Sequence, residues 1–260
     1  MEKEKLSPFL FNYDIIKKIF KMKEVFTMKT YDFNKGNAIT NNYSLSDYFS
    51  TIYTKMFIGL IITALVSYLL PLMLPGVFVA IVHNYKIVAI LSLFVEMGLI
   101  FYIGKSMKDS SKNMAPWFYL YSFVNGITFS VILSFSNPVT VAVTFLITSV
   151  MFGTLAFIGR TTKKDLSGIG KFAIATLLGL IIATLVNIFL HNTVLDYIIT
   201  YLGVIIFSAL IAYDNQKIQK GFARVNQDNY NNVTTWHALD LYLDFINLFL
   251  YILRILGKNK

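Results

Sequence analysis

Four carboxylates stand in or at the edge of stretches otherwise almost free of charge: Glu96, Asp214, Asp240 and Asp244. An acid at the centre of a bilayer helix costs about 2.5–3.5 kcal/mol on the insertion scale, so an acid placed there points to ion or proton chemistry. Asp240, Asp244, Asn247, Tyr251 and Arg254 fall at offsets of 0, 4, 7, 11 and 14, one face of an α-helix. Leu241, Leu243, Phe245, Ile246, Leu248, Phe249, Leu250, Ile252 and Leu253 cover the other faces. A polar stripe along a whole span cannot face lipid. It has to face water or other polar side chains, which makes this helix the expected centre of a bundle.

Asp214 closes an apolar run in Ala212-Tyr213-Asp214-Asn215-Gln216. If its helix continues to about Lys220, Asp214 lies roughly 9 Å from that end, at 1.5 Å per residue. Asp244 lies roughly as deep in a following helix that starts near Ala238, so the two acids sit at matched depth on adjacent antiparallel helices. Two carboxylates in contact cannot both ionise cheaply, and such a pair takes up protons in macroscopic steps. It can sense pH, bind a hard cation such as Ca²⁺ through oxygen, or work as an acid and a base. Plainer readings exist. Asp240 fits an N-terminal helix acid, favourable to the dipole. Asp214 fits a boundary residue in water, and Glu96 fits a structural partner of some base. Asp244, inside Leu-Tyr-Leu-Asp-Phe-Ile-Asn-Leu-Phe-Leu, has the weakest structural explanation.

The elements that must hold these residues are membrane helices. The 260 residues are 56% apolar and only 14% charged, against about 25% charged in a soluble chain. With no Cys, disulfides, Cys-ligated zinc, iron–sulfur clusters and thiol catalysis are excluded. His83, His191 and His237 lack metal-ligand spacing, and no nucleotide motif exists, so no cofactor and no enzyme activity are expected. Roughly 20 apolar residues cross the hydrocarbon core. Spans are expected from residue 56 to the Pro71/Pro75 pair, then over 87–104, 117–133, 140–157 and 172–190, from 197 onward, and over 238–256. Asn137-Pro138 divides the third from the fourth, because proline cannot donate a backbone hydrogen bond. The expected fold class is therefore an all-α integral membrane protein with seven transmembrane helices. Residues 51–260 form that domain and residues 1–50 a basic cytoplasmic segment.

Basic residues set the orientation. They cluster before the first span, in the second-to-third connection (Lys105, Lys108, Lys112), the fourth-to-fifth (Arg160, Lys163, Lys164, Lys171) and the sixth-to-seventh (Lys217, Lys220, Arg224). The alternation puts the N-terminus in the cytoplasm; the bacterial inner membrane expected as the location is what the family resemblance given below implies. Arg254, Lys258 and Lys260 then fall at the outer end of span seven, unless that span is re-entrant. No signal peptide is read. Residues 9–26 mix Phe and Ile with Lys at a spacing that suits an amphipathic helix on an anionic leaflet, or else form a basic tail that only sets topology. The net charge of +9 is accounted for by these segments and requires no nucleic acid. No protein partner is named by any motif; the residues themselves point to the bilayer, protons and a hard cation, and Ca²⁺ as that cation is what the resemblance given next implies.

In several stretches the chain resembles the Bax inhibitor-1 family. They are Thr161-Thr162-Lys163-Lys164-Asp165-Leu166-Ser167-Gly168-Ile169-Gly170, residues 179–190, Ala212-Tyr213-Asp214 within 203–216, and Leu241-Tyr242-Leu243-Asp244-Phe245-Ile246-Asn247 within 238–257. The resemblance covers about residues 45 to 257. It implies six helices surrounding a central seventh, and a pH-sensitive calcium leak whose sensor is an aspartate pair mapping onto Asp214 and Asp244. Asp240, Asn247 and Glu96 are then candidates for the ion path. Three departures stand out. Asp240 replaces an expected small polar residue. Lys105, or Lys108, stands in for the usual Arg of helix two and cannot reproduce its bidentate fork. The N-terminal segment is long.

Other functions compete. An intramembrane aspartyl protease also uses one Asp on each of two spans, and Tyr213-Asp214 matches half of that pattern. The second half should read Gly-x-Gly-Asp before a Pro-Ala-Leu, whereas this chain has Tyr242-Leu243-Asp244 and no Pro after Pro138. A proton-coupled cation exchanger could use the same acids, although no inverted repeat is evident. A retinal protein lacks its mid-span Lys in helix seven. A regulatory protein acting through partners predicts no ion flux at all.

Overall fold

The computed structural model describes residues 43–106, 109 and 111–257, and every regular element among them is helical. The residues of the expected interfacial helix (9–26), with Lys108, Lys258 and Lys260, lie outside the described set. In chain order the helices are α1 (Leu45–Met73), α2 (Pro75–His83), α3 (Tyr85–Ser106), α4 (Ala115–Ser134), α5 (Pro138–Thr161), α6 (Ser167–Leu190), α7 (Thr193–Gly221) and α8 (Tyr230–Gly257), with one 3₁₀ turn, Phe222–Arg224, after α7. Six of them, α1 and α3 to α7, are long and apolar enough to cross a membrane. The last helix, α8, is not one of the six: Asp240, Asp244 and Arg254 interrupt its apolar stretch.

Local chemistry explains most boundaries. Ser44 and Asp47 form a reciprocal capping box that starts α1. The side chain of Asn137 accepts from Val139 N–H with Pro138 in the first turn, so the expected break there starts α5. Asn192 caps α7 in the same way, accepting from Leu195 N–H at 2.9 Å. One expectation is corrected: Pro71 does not end the first helix but lies within it, two residues before its last residue Met73, with Leu74 and Pro75 following. The missing N–H removes one intrahelical hydrogen bond. A second correction concerns the last helix, which begins at Tyr230, eight residues before the expected start.

Helix α8 packs against α1, α4, α5 and α7, while α3 lies on α4 and α6 on α7. Every residue of α8 from 237 to 254 is buried. Small residues let the backbones approach: Gly159 of α5 sits against the Ala212 carbonyl of α7, and Gly203 of α7 lies under the Tyr251 ring of α8. Neither position has room for a Cβ.

One end of the bundle gathers the basic connections. Gln216 near the end of α7 accepts from Leu166 N–H and donates to the Lys164 carbonyl, both at 2.8 Å, which ties the α5–α6 loop to α7. Lys220 donates to Asp165 Oδ1 of the same loop at 2.5 Å. This hydrogen bond, with those from Ser167, holds the Asp165 carboxyl down at about 2. The first turn of α8 reaches the α3–α4 loop through Asn231 and Asn232, which donate to Asn113 Oδ1 and the Asp109 carbonyl. It also meets α1: Lys55 Nζ lies 2.8–2.9 Å from four oxygens of Asn231, Thr234 and Thr235.

Candidate functional site

The polar face of α8 meets α7, and the two run antiparallel. Near the basic end, Lys217 Nζ lies 4.0 Å from Asp214 Oδ1 on its own helix and 3.7 Å from Asp240 Oδ2 on α8. His237 Nδ1 lies 3.8 Å from the same Asp240 oxygen, within ion-pair range but beyond a hydrogen bond. The side chains of Asp214, Asp240 and His237 are 7%, 10% and 8% exposed, whereas Lys217 at 29% keeps some solvent. Asp244, also buried, follows one turn further along the same face of α8. The structure thus joins Asp214 to Asp240 through Lys217, with Asp244 next in line.

Asp240 sits in the third turn of α8, which overturns its reading as an N-terminal helix acid. The place beside the acids that was assigned to Lys105 is held by Lys217; Lys105 is exposed in the last turn of α3. Glu96, almost fully buried, lies on the other side of the bundle. It is in electrostatic range of Tyr121 and Tyr242, and Tyr242 projects from the face of α8 opposite Asp240. The Tyr242 hydroxyl is 2.7 Å from Thr63 Oγ1 and accepts from Asn125 Nδ2 at 2.5 Å, so α8 has a second polar contact at mid-bundle.

Further along the Asp240 face, Asn247 donates to its own helix at the Leu243 carbonyl (2.7 Å). Tyr251 then covers Gly203 and meets Phe207, and Arg254 forms a buried ion pair with Asp196 in the first turn of α7. Arg254, the basic residue that disturbed the charge alternation, is therefore answered by an acid at the far end. Helix α8 runs unbroken to Gly257 and does not turn back.

The arrangement has a definite charge problem. Lys217 faces both Asp214 and Asp240, His237 faces Asp240 as well, and buried acids gathered along one helix face are suited to handling protons or cations. Among the described residues no three His, Asp or Glu side chains converge to hold a metal ion. Sequence reasoning missed Lys217, His237 and Asp196. The first two lie three residues from Asp214 and Asp240, a helical same-face spacing that was there to be read. Asp196, at the start of an apolar span, was a fifth acid in an apolar setting.

Residues 45–260 match the family described as Inhibitor of apoptosis-promoting Bax1. The chain is 34% identical over 215 residues to an uncharacterised membrane protein of Streptococcus pyogenes serotype M1, covering 83% of this chain and 94% of that one. It is 33% identical over 220 residues to the inner membrane protein YbhL of Escherichia coli K12, covering 83% and 93%. A protein of Borreliella burgdorferi is 35% identical over 216 residues, covering 82% and 92%. Six membrane-length helices and relatives named as membrane proteins make this a multi-pass membrane protein. The match across the whole described helical region, together with relatives above 30% identity over most of both chains, places the protein in the Bax inhibitor-1 family.

Proposed function

We propose that this protein is a pH-sensitive, calcium-permeable leak without enzymatic activity, in which α8 is a seventh crossing at the centre of the other six. The observation that carries the reading is the buried pair Asp214 and Asp240 bridged by the ammonium of Lys217, with buried Asp244 one turn further along the same face of α8. A helix of 28 residues spans about 42 Å at 1.5 Å per residue, enough for the bilayer core. Its polar face turned onto α7 supports the central placement. The name of the E. coli relative and the basic connections gathered at one end support a bacterial inner membrane with that end, and the N-terminus, in the cytoplasm.

In this mechanism Asp214 and Asp244 share a proton when the cytoplasmic side is acidic, and the bond ties α8 to α7. Raising the pH removes the proton. The bare carboxylates then repel, the helices part, and the stripe from Asp240 to Asn247 hydrates to admit Ca²⁺. The tied state is thus favoured at low pH and lost as pH rises.

The test is Ca²⁺ flux from proteoliposomes, without ATP, across about pH 5 to 8. Asp214→Asn and Asp244→Asn should each flatten the pH response, because an amide cannot titrate. Full pH response in both variants removes the pair as sensor. Strict dependence on a proton counter-gradient identifies an exchanger that uses the same acids. Absence of flux at every pH identifies a regulatory protein.

A further inference from the structure

We infer that the buried Arg254–Asp196 pair is a second lock on the same path, at the end opposite Lys217, and that Asp196 is the carboxylate a divalent cation must win from Arg254 to pass. The inference rests on the leak reading above. Its basis is the order of contacts along one face of α8. At one end Asp240 meets Lys217 of α7, in the middle Tyr251 covers Gly203, and at the other end Arg254 pairs with Asp196. Each contact joins the same two helices, so an ion moving along this face meets a cation–carboxylate contact at both ends.

A purely mechanical role explains the pair poorly. A buried ion pair gains little over apolar residues of similar volume, because both charges lose their water. The Arg254 and Asp196 side chains are 4% and 14% exposed. Thr200, one turn along α7, donates its hydroxyl to the Asp196 carbonyl at 2.6 Å, which fixes the first turn of α7 beneath the pair. What a guanidinium on a cation path does supply is a fixed positive charge that repels cations and holds a carboxylate in reserve. An arriving Ca²⁺, with two charges, competes for that carboxylate better than a monovalent ion does.

The sign of two single substitutions separates this from a structural staple. Arg254→Gln removes the positive charge and releases Asp196 to the ion; Ca²⁺ flux into proteoliposomes should rise several-fold at a pH where the wild type conducts. Asp196→Asn leaves the guanidinium facing the path, and flux should fall several-fold. A staple is broken by either change and predicts shifts in the same direction. Same-direction shifts, or no shift in either variant, overturn the inference while the leak stands. A wild type that passes no Ca²⁺ sinks the leak reading instead. If a single variant does not elute as one symmetric peak in detergent, the double variant Asp196→Asn/Arg254→Gln replaces it, since two amides can still hydrogen-bond. The double variant lacks both the repelling guanidinium and the carboxylate, so its flux should lie above that of Asp196→Asn or below that of Arg254→Gln, whichever single variant is intact; the opposite order overturns the inference.

Discussion

Replacing Lys217 with Met tests the part of the mechanism that came from the structure alone. The ammonium lies 4.0 Å from Asp214 and 3.7 Å from Asp240, and at an effective dielectric of about 20 each separation is worth about 4 kcal/mol. Lys217 is 29% exposed, so solvent screening brings this to about 2 kcal/mol for each contact. Without the ammonium, the ionised acids lose that stabilisation and the protonated, tied arrangement persists to higher pH. Only the Asp214 contact acts on the shared proton, so at 1.36 kcal/mol per pH unit the flux midpoint should rise by about 1–2 units. The assay is initial Ca²⁺ flux in proteoliposomes with an entrapped indicator, measured across the pH range for wild type, Lys217→Met and Lys217→Arg. The Arg variant keeps the charge and should stay close to wild type. A midpoint that is unchanged or lower in Lys217→Met refutes the electrostatic coupling. The same shift in Lys217→Arg assigns the effect to packing.

Asp240→Asn removes the acid that links Lys217 and His237 across the helix pair, so it should displace the flux midpoint as well as the calcium dependence; an effect on calcium dependence alone detaches it from the sensor. Gly203→Ala forces a methyl into the Tyr251 ring, and overpacking of this kind costs about 1–3 kcal/mol, visible as a lower thermal midpoint in detergent. A companion Tyr251→Leu change should recover part of that loss. Lys55→Met deprives four oxygens of their ammonium, and hydrogen bonds to a charged group are worth about 1.5–3 kcal/mol, so the thermal midpoint should drop well beyond that of an exposed Lys→Met control. Asp165, at the surface, should titrate near 2 because Lys220 and Ser167 bond its ionised form. Its stabilising contribution is present above the ordinary Asp value of about 3.9 and is lost as pH falls through the depressed one. Carboxyl-carbon NMR of Lys220→Met should find Asp165 moved back toward about 3.9, and a titration left near 2 contradicts the assignment.

The chain's own pattern determined that it lives in a membrane, where most helices begin and end, and which face of the last helix is polar. Those properties follow from local rules: an apolar run long enough for the bilayer, an Asn-Pro start, a repeat of about 3.6 residues that puts Asp240, Asp244, Asn247 and Arg254 on one line. The same arithmetic could have flagged Lys217, three residues beyond Asp214 on its own helix. Only the tertiary structure decided which groups meet across helices. Lys217 reaches Asp240, Arg254 finds Asp196, and Glu96 is sent to the Tyr242 side, because faces and register are set by distant close packing. The fit of Tyr251 on Gly203 and of Ala212 on Gly159 slides α7 into the one position that brings these charges together. The early start of α8 has the same origin. The stretch from Tyr230 to Thr235 is Asn- and Thr-rich and a weak helix former, and it is held in the helix by Lys55 and the α3–α4 loop, partners far away in the chain.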